Sequence, residues 1–241
     1  MTADNIQSIF QRYEIKFLLN KAQRDRLMEL ISCHMIPDLY PHSSIRNIYY
    51  DTDNFRLARR SLDKPVYKEK LRVRCYTDIG WHDPVFVELK KKYQSVVYKR
   101  RIVLPRDEAE AWLAGEDIGI RSQIAGEIEY FRDFYTGLAP KVFLSYERDS
   151  FRDPVREDFR LTLDRQVRAR EDHLTLTASP GGVYVTSPAD TLMEVKTAGG
   201  IPLWLSHFLN EEGIRQTSIS KYGSYYRDFI FPSTERKVQY A

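Results

Sequence analysis

The sequence predicts an α+β protein: an antiparallel sheet closed into a barrel with a basic interior, flanked by helices. Three observations carry that prediction. Short segments along the chain alternate charged with apolar residues, the period of two expected of a strand with unlike faces. The charged faces are dominated by Lys and Arg. Between these segments lie stretches with apolar residues at helical spacing, suited to covering the apolar side of a sheet.

The elements can be justified in order. Arg12, Glu14 and Lys16 oppose Tyr13, Ile15 and Phe17 in a first strand. A helix follows Asn20, a favourable N-cap, with Leu27, Leu30 and Ile31 on one side. Ile36 to Ser44 reads as a loop, Tyr49 to Asp51 as a strand end and turn, and Arg56, Arg59 and Arg60 as a solvated helical turn. Lys70, Arg72 and Arg74 then oppose Leu71, Val73 and Cys75. After a second loop, Asp78 to Pro84, Glu88 and Lys90 oppose Val87 and Leu89. Lys99 and Arg101 oppose Tyr98 and Ile102, with Arg100 interrupting the apolar face. Asp107 to Leu113 predicts a short helix stopped at Gly115, and Ile124 to Tyr135 a longer one. Arg160, Thr162 and Asp164 oppose Leu161 and Leu163; Glu194 and Lys196 oppose Met193 and Val195, beyond a loop from Ala178 to Pro188. Helices over Leu203 to Glu211, ending at Gly213, and from Ser220 to Phe229 complete the chain.

The 241 residues are expected to form one domain over 1–241, since no linker or repeat divides them. With 42% hydrophobic and 13% aromatic residues, disorder is excluded. No apolar run approaches the ~20 residues of a membrane span, and no signal-peptide core is present, so a cytoplasmic location is expected. Two cysteines, Cys33 and Cys75, make no disulfide framework, and the five scattered histidines argue against a Cys/His metal site.

The net charge of +3 would by itself argue against an anionic partner. Its distribution reverses that inference. On the charged strand faces nine bases (Lys16, Lys70, Arg72, Arg74, Lys90, Lys99, Arg101, Arg160 and Lys196) meet only Glu14, Glu88, Asp164 and Glu194. Like charges opposed across strands are destabilising unless an anion separates them. A barrel would turn these faces inward, where they must be wet or filled by a ligand. Many bases and few carboxylates suit a polyphosphate with a divalent metal: Arg forks grip phosphate oxygens, Lys neutralises charge, and Glu holds Mg²⁺ or Mn²⁺.

The segments Arg12-Tyr13-Glu14-Ile15-Lys16-Phe17, Ile48-Tyr49-Tyr50-Asp51-Thr52, Lys70-Leu71-Arg72-Val73-Arg74-Cys75-Tyr76, Val87-Glu88-Leu89-Lys90-Lys91 and Tyr98-Lys99-Arg100-Arg101 together resemble the VTC domain. So do Tyr146-Glu147-Arg148, Arg160-Leu161-Thr162-Leu163-Asp164, Met193-Glu194-Val195-Lys196-Thr197 and Ser220-Lys221-Tyr222. That domain is the polyphosphate polymerase module of the triphosphate tunnel metalloenzyme, or CYTH-like, superfamily. The ordered set runs from about Arg12 to Tyr226. The resemblance implies an antiparallel β-tunnel in which the γ-phosphate of ATP passes to a growing polyphosphate chain with a divalent metal. It implies catalytic roles for Arg72, Arg74, Lys90, Arg148 and Arg160. Lys16, Lys70, Lys99, Arg101, Lys196 and Lys221 would bind phosphate, and Glu194, Glu14 and Glu88 would hold the metal. Partners would be ATP and polyphosphate rather than nucleic acid; export of product would require a separate membrane protein.

Two other classes stay open at this point: a triphosphatase on the same scaffold, and a non-catalytic polyphosphate-binding module. The superfamily often carries ExExK on its first strand, where this chain has Arg12-Tyr13-Glu14-Ile15-Lys16, which weakens the case for a hydrolase. Glu194 argues against mere binding, because a carboxylate among the bases repels phosphate unless a metal bridges the two. Asp164 could assist the metal or form an internal salt bridge.

Overall fold

A computed structural model describes residues 13–63, 65–76, 80, 82–94 and 96–232. Arg12, and with it the start of the predicted first strand, lies outside the described residues, as does most of the loop predicted over Asp78 to Pro84. The elements are β1 (Tyr13–Leu19), α1 (Lys21–His34), β2 (Ile36–Asp51), α2 (Arg56–Leu62), β3 (Tyr67–Tyr76), β4 (Pro84–Tyr93) and β5 (Val96–Pro105). There follow α3 (Arg106–Ala114), α4 (Gln123–Phe134), β6 (Ala139–Arg152), β7 (Arg160–Arg170), β8 (Val183–Tyr184) and β9 (Thr191–Thr197). The chain then forms α5 (Leu203–Glu211), β10 (Gln216–Thr217) and α6 (Lys221–Tyr225), which continues as a π-helical turn over Tyr226–Ile230. The fold is α+β, with antiparallel pairing throughout the strand registers of β1, β3, β4, β5, β7, β8, β9 and β10.

The expected closed barrel is corrected. The strand order is open, β10-β1-β9-β7-β6-β2-β3-β4-β5, with β8 pairing β7 to the side. Alternation specifies two unlike faces for each strand, but it carries no information on which strands meet at a closure. The first end strand, β10, is two residues long and offers little edge.

The chain forms two compact units. One contains Arg46–Phe143 and Glu171–Ser179; the other contains Leu144–Arg170 together with the described residues of 12–45 and 180–241. β2 and β6 each contribute residues to both. In the first unit Leu71, Val73 and Cys75 of β3 and Val85, Val87 and Leu89 of β4 pack with Ala109, Trp112 and Leu113 of α3 and Ala125, Ile128 and Phe131 of α4. In the second, Phe17, Leu19, Leu161, Leu163, Met193 and Val195 pack with Leu27 and Ile31 of α1 and Leu205, Phe208 and Leu209 of α5. In each unit the apolar strand face is therefore the one that helices cover, and the basic face is left for another purpose.

Local chemistry explains the boundaries. Asn20 caps α1 with a reciprocal pair: its side chain accepts from the Gln23 amide, and the Gln23 side chain accepts from the Asn20 amide. Gly115 and Gly213 follow α3 and α5 with φ of +111° and +62°, conformations open to glycine, as expected of helix stops. Buried Asp51 anchors α2, accepting from the amides of Thr52, Leu57 and Ala58. Arg100, which interrupts an apolar face, reaches Glu127 on α4 at 3.1 Å, and Lys91 shares that carboxylate. The segment Ile36 to Ser44 is the first half of β2 rather than a loop; Pro37, Pro41 and the polar Asp38, His42, Ser43 and Ser44 hide a stretch of strand in which no residue is buried.

Candidate functional site

The basic face of the first unit is organised by Glu88. Register places Glu88 directly between Arg72 on β3 and Arg101 on β5. Arg72 Nε donates to Glu88 Oε2 at 2.9 Å, and Arg101 Nε to Oε1 at 2.8 Å. Lys99 Nζ lies 2.6 Å from Oε1, and Arg74 Nε 4.0 Å from Oε2. Four cations thus surround one carboxylate that is 1% exposed. Burial pushes the Glu88 carboxyl up, but Arg72, Arg74, Lys99 and Arg101 together hold it well below the usual range.

These bases are aimed by neutral neighbours. Arg74 Nε donates to Asn47 Oδ1 at 2.8 Å, and Arg72 Nη1 to the Tyr49 hydroxyl at 3.1 Å. Arg101 stacks 4.4 Å above the centre of the Phe86 ring. Two residues along the strands, Lys90 stands between Lys70 and Lys99 in register. The sequence-predicted Lys70, Arg72, Arg74, Glu88, Lys90, Lys99 and Arg101 therefore share one face of three neighbouring strands.

The second unit holds a different cluster. Arg148 grips fully buried Asp164 with two bonds, Nε to Oδ1 at 2.5 Å and Nη2 to Oδ2 at 2.6 Å, and also reaches Glu194 Oε2 at 3.3 Å. Lys221, which opens α6 after the Ser220 cap, lies 2.5 Å from Asp164 and 3.1 Å from Glu194. Its ammonium also sits 4.6 Å from the centre of the Tyr146 ring, which Arg148 covers as well. Lys16 Nζ touches two carboxylates, Glu14 at 3.3 Å and Glu194 at 3.4 Å. Lys196 stands opposite Glu14 in the β1–β9 register. Burial pushes Glu194 up, yet Lys221, Lys16, Arg148 and Lys196 hold it well below the ordinary carboxylate range.

Of the sequence-predicted residues, Glu14, Lys16, Arg148, Glu194, Lys196 and Lys221 are brought together here. Arg160 is not gathered in with them. Register sets it opposite Lys196, but its guanidinium is 45% exposed and pairs with Asp38 at 3.5 Å. Asp164 is an internal salt-bridge partner of Arg148 and Lys221. Asn47, Tyr49, Tyr76, Phe86 and Tyr146 were not singled out as site residues; the signal for Tyr76 was its position two residues beyond Arg74, on the same strand face.

The two clusters differ in their fitness for a metal. Among the described residues no group of three or more His, Cys, Asp or Glu side chains is placed to hold a metal ion. Glu14 and Glu194, however, share one cation, the Lys16 ammonium, between them. Two carboxylates converging on one positive charge fit Mg²⁺, which keeps several waters and takes its remaining ligands from substrate oxygens. Glu88 fits poorly, because both of its oxygens are already engaged by guanidinium and ammonium groups.

The sequence matches the VTC domain family over residues 11–229. The chain belongs to that family. Among solved structures this VTC domain resembles a proposed adenylate cyclase of Bacillus halodurans, with a TM-score of 0.59 and 18% identity, covering 92% of this chain and 100% of that one. The likeness establishes the shared fold. Weaker similarities link it to a Pyrococcus horikoshii protein (TM-score 0.45, 14% identity, 93% of this chain and 98% of that one) and to the mimivirus capping-enzyme triphosphatase (0.37, 12%, 86% and 90%). No curated protein matches the chain. Among the described residues of this VTC domain no helix is long and apolar enough to cross a membrane.

The basic faces give the VTC domain a distinctive pH response. Burial depresses Lys99 and Lys196 to about 8, and the Arg74 and Arg101 charges bring Tyr76 to about 8 in spite of its burial. Between pH 8 and about 10 the unfolded chain retains protons on these groups that the native protein has released, so stability rises with pH in that window. The melting temperature of the ligand-free protein should accordingly increase from pH 8 to 10. A flat or falling profile would show that these side chains are not held against their charged or protonated forms.

Proposed function

We propose that this VTC domain is an enzyme, a polyphosphate polymerase that transfers the γ-phosphate of ATP to the end of a polyphosphate chain with Mg²⁺ or Mn²⁺. The observation that carries the reading is the Glu88 cluster, where four cations converge on a single carboxylate and leave a large positive surplus. In the second cluster Lys16, Arg148, Lys196 and Lys221 face Glu14, Asp164 and Glu194, a nearly balanced set that a divalent cation would turn strongly positive. A fold shared with a proposed adenylate cyclase is compatible with nucleoside triphosphate chemistry. A single domain over residues 1–241 is part of this proposal.

In the reaction a terminal phosphate oxygen of the acceptor attacks the γ-phosphorus, the bond to the β–γ bridging oxygen breaks, and ADP leaves. Protein groups in phosphoryl transfer chiefly position the reactants and stabilise charge on the transferring oxygens. In the first unit Arg72, Arg74 and Arg101 would supply forked donors and Lys70, Lys90 and Lys99 would neutralise phosphate charge; in the second, Arg148 would supply forked donors and Lys16, Lys196 and Lys221 would neutralise charge. Arg160, released from Asp38, would join them. Glu194 and Glu14 would hold the metal, which supplies charge neutralisation on the phosphate oxygens. Glu88 would instead keep four bases parallel and separated.

A terminal phosphate has a second pKa of about 6 and is largely dianionic at pH 7, so it needs no general base. A hydrolase must orient and deprotonate water. His34, His42 and His82 make their contacts away from both clusters, with Trp204, Asp149 and Asp107, which favours phosphate as the acceptor. Incubation of pure protein with ATP and Mn²⁺ should therefore yield ADP and long-chain polyphosphate, with short polyphosphate shortening any lag. Consumption of ATP to give orthophosphate alone, with primer present, would make the chain a triphosphatase.

A further inference from the structure

Thr162 stands in the second cluster with its hydroxyl unengaged. It lies on β7 directly opposite Glu194 of β9, which in turn faces Lys16 of β1. Alternation along β7 puts it on the face that carries Arg160 and Asp164. The residue is 6% exposed, and its Oγ1 has no hydrogen-bond partner among the described residues. A buried hydroxyl without a partner costs stability, so a position that keeps one points to a bound water, ion or ligand. Glu194 is the side chain directly across, yet it turns its oxygens to Lys221, Arg148 and Lys16 instead.

The two carboxylates nearest Thr162 are held differently. Asp164 is gripped by Arg148 and by Lys221 at 2.5 Å each. Glu194 lies farther from its cations, 3.1 Å from Lys221, 3.3 Å from Arg148 and 3.4 Å from Lys16. Glu194 is thus the looser of the two and the better able to exchange an ammonium contact for a divalent cation. Mg²⁺ bound by one or two carboxylates keeps several waters. Each of those waters points its protons outward and needs an acceptor. Lys16, Lys196, Lys221 and Arg148 carry none, whereas a threonine hydroxyl has two lone pairs. We propose that Thr162 is a positioning residue for the divalent cation, its hydroxyl accepting a hydrogen bond from a hydration water of the ion that Glu194 holds. This rests on the metal reading above and adds to it a neutral residue outside the carboxylate pair.

Thr191 provides a comparison within the same unit. Its Oγ1 is also buried without a partner among the described residues. It shares the opposite face, however, with Met193 and Val195, and its register partner is Leu19 rather than a carboxylate. The two threonines therefore differ in one respect that bears on a cation: which face of the sheet they occupy.

The experiment is titration of the full chain with Mn²⁺ in the presence of tripolyphosphate, with unbound Mn²⁺ read from its electron paramagnetic resonance signal. The proteins are wild type, Thr162→Val, Thr162→Ser, Thr191→Val and Glu194→Gln. Thr162→Val keeps the shape and the β-branch and removes only the hydroxyl. It should bind Mn²⁺ about 10-fold more weakly, the scale of losing a partner just outside the ligand set. Thr162→Ser and Thr191→Val should bind as wild type does. Without metal, Thr162→Val should keep its affinity for tripolyphosphate and melt no lower than wild type, since no protein partner is lost. Equal Mn²⁺ binding by Thr162→Val overturns the proposal and leaves the hydroxyl to a structural water. An equal loss in Thr191→Val overturns it too, because the sheet face would then not matter. Weaker metal-free binding of tripolyphosphate would assign the hydroxyl to phosphate, and a lower metal-free melting temperature would reveal a protein partner; either result overturns it. Failure of the wild type to bind Mn²⁺, or equal binding by Glu194→Gln, overturns the metal reading as well.

Discussion

Glu88→Ala should destabilise the ligand-free VTC domain by about 3–5 kcal/mol, the usual cost of removing one partner from a buried ion pair. The reason is that Arg72, Arg74, Lys99 and Arg101 all pair with this one side chain, which is itself 1% exposed. Without it, four cations repel one another on adjacent strands. Tripolyphosphate binds only the native state and brings the missing charge, so it should stabilise the variant more than it stabilises the wild type. Urea unfolding with and without ligand measures both quantities. A Glu88→Ala protein as stable as wild type would show that water already screens these bases. Glu88→Gln separates the charge from the packing: it should lose nearly as much stability in spite of its matching shape.

Glu194→Gln should lower metal-dependent turnover on the order of 10²–10³-fold while leaving most of the tripolyphosphate affinity in place. Glu194 also holds Lys16, Arg148 and Lys221, so loss of activity alone could reflect displaced bases. Asp164→Asn is the control. Asp164 contacts Arg148 and Lys221, yet none of its ion pairs involves Lys16. If Glu194 acts by positioning bases, the two substitutions should cost similar turnover, and excess Mn²⁺ should rescue neither. If Glu194 holds the metal, its substitution should be the more severe. Glu14→Gln should then raise the Mn²⁺ concentration needed for half-maximal rate. Full activity of Glu194→Gln would remove the metal assignment altogether.

Much of this arrangement was legible because a strand converts sequence parity into a spatial face. Lys70, Arg72 and Arg74 could be assigned to the side opposite Leu71, Val73 and Cys75 without knowing a neighbour, and the helices that cover the apolar side announced themselves through Asn20, Gly115 and Gly213. Parity is silent on register. It could not show that Glu88 stands between Arg72 and Arg101, and so grouped it with Glu194 as a metal ligand. The length of side chains was equally hidden: Arg160 has the right parity, but its guanidinium reaches Asp38. Closure failed for the same reason, since the alternation within a strand does not choose partners for the two end strands. The first half of β2 was missed because two prolines and four polar residues look like a loop where a long strand runs.

The excursion of Glu171–Ser179 into the first unit bears on how the protein is made. Buried Arg106 takes its hydroxyl acceptors from Thr175 and Thr177, 69 and 71 residues further along the chain, and Arg46 donates to the carbonyl of Leu176, 130 residues away. A ribosome adding about 5–20 residues per second completes Arg106 on the order of 10 s before its partners exist. Over that interval the nascent first unit carries two arginines whose buried positions are unfinished, and its strands cannot reach their final stability. Vectorial folding of the segment Arg46–Phe143 is thereby held open until β7 has been synthesised and the chain has turned back. The late segment acts as a clasp, making completion of the early unit conditional on translation of the later one.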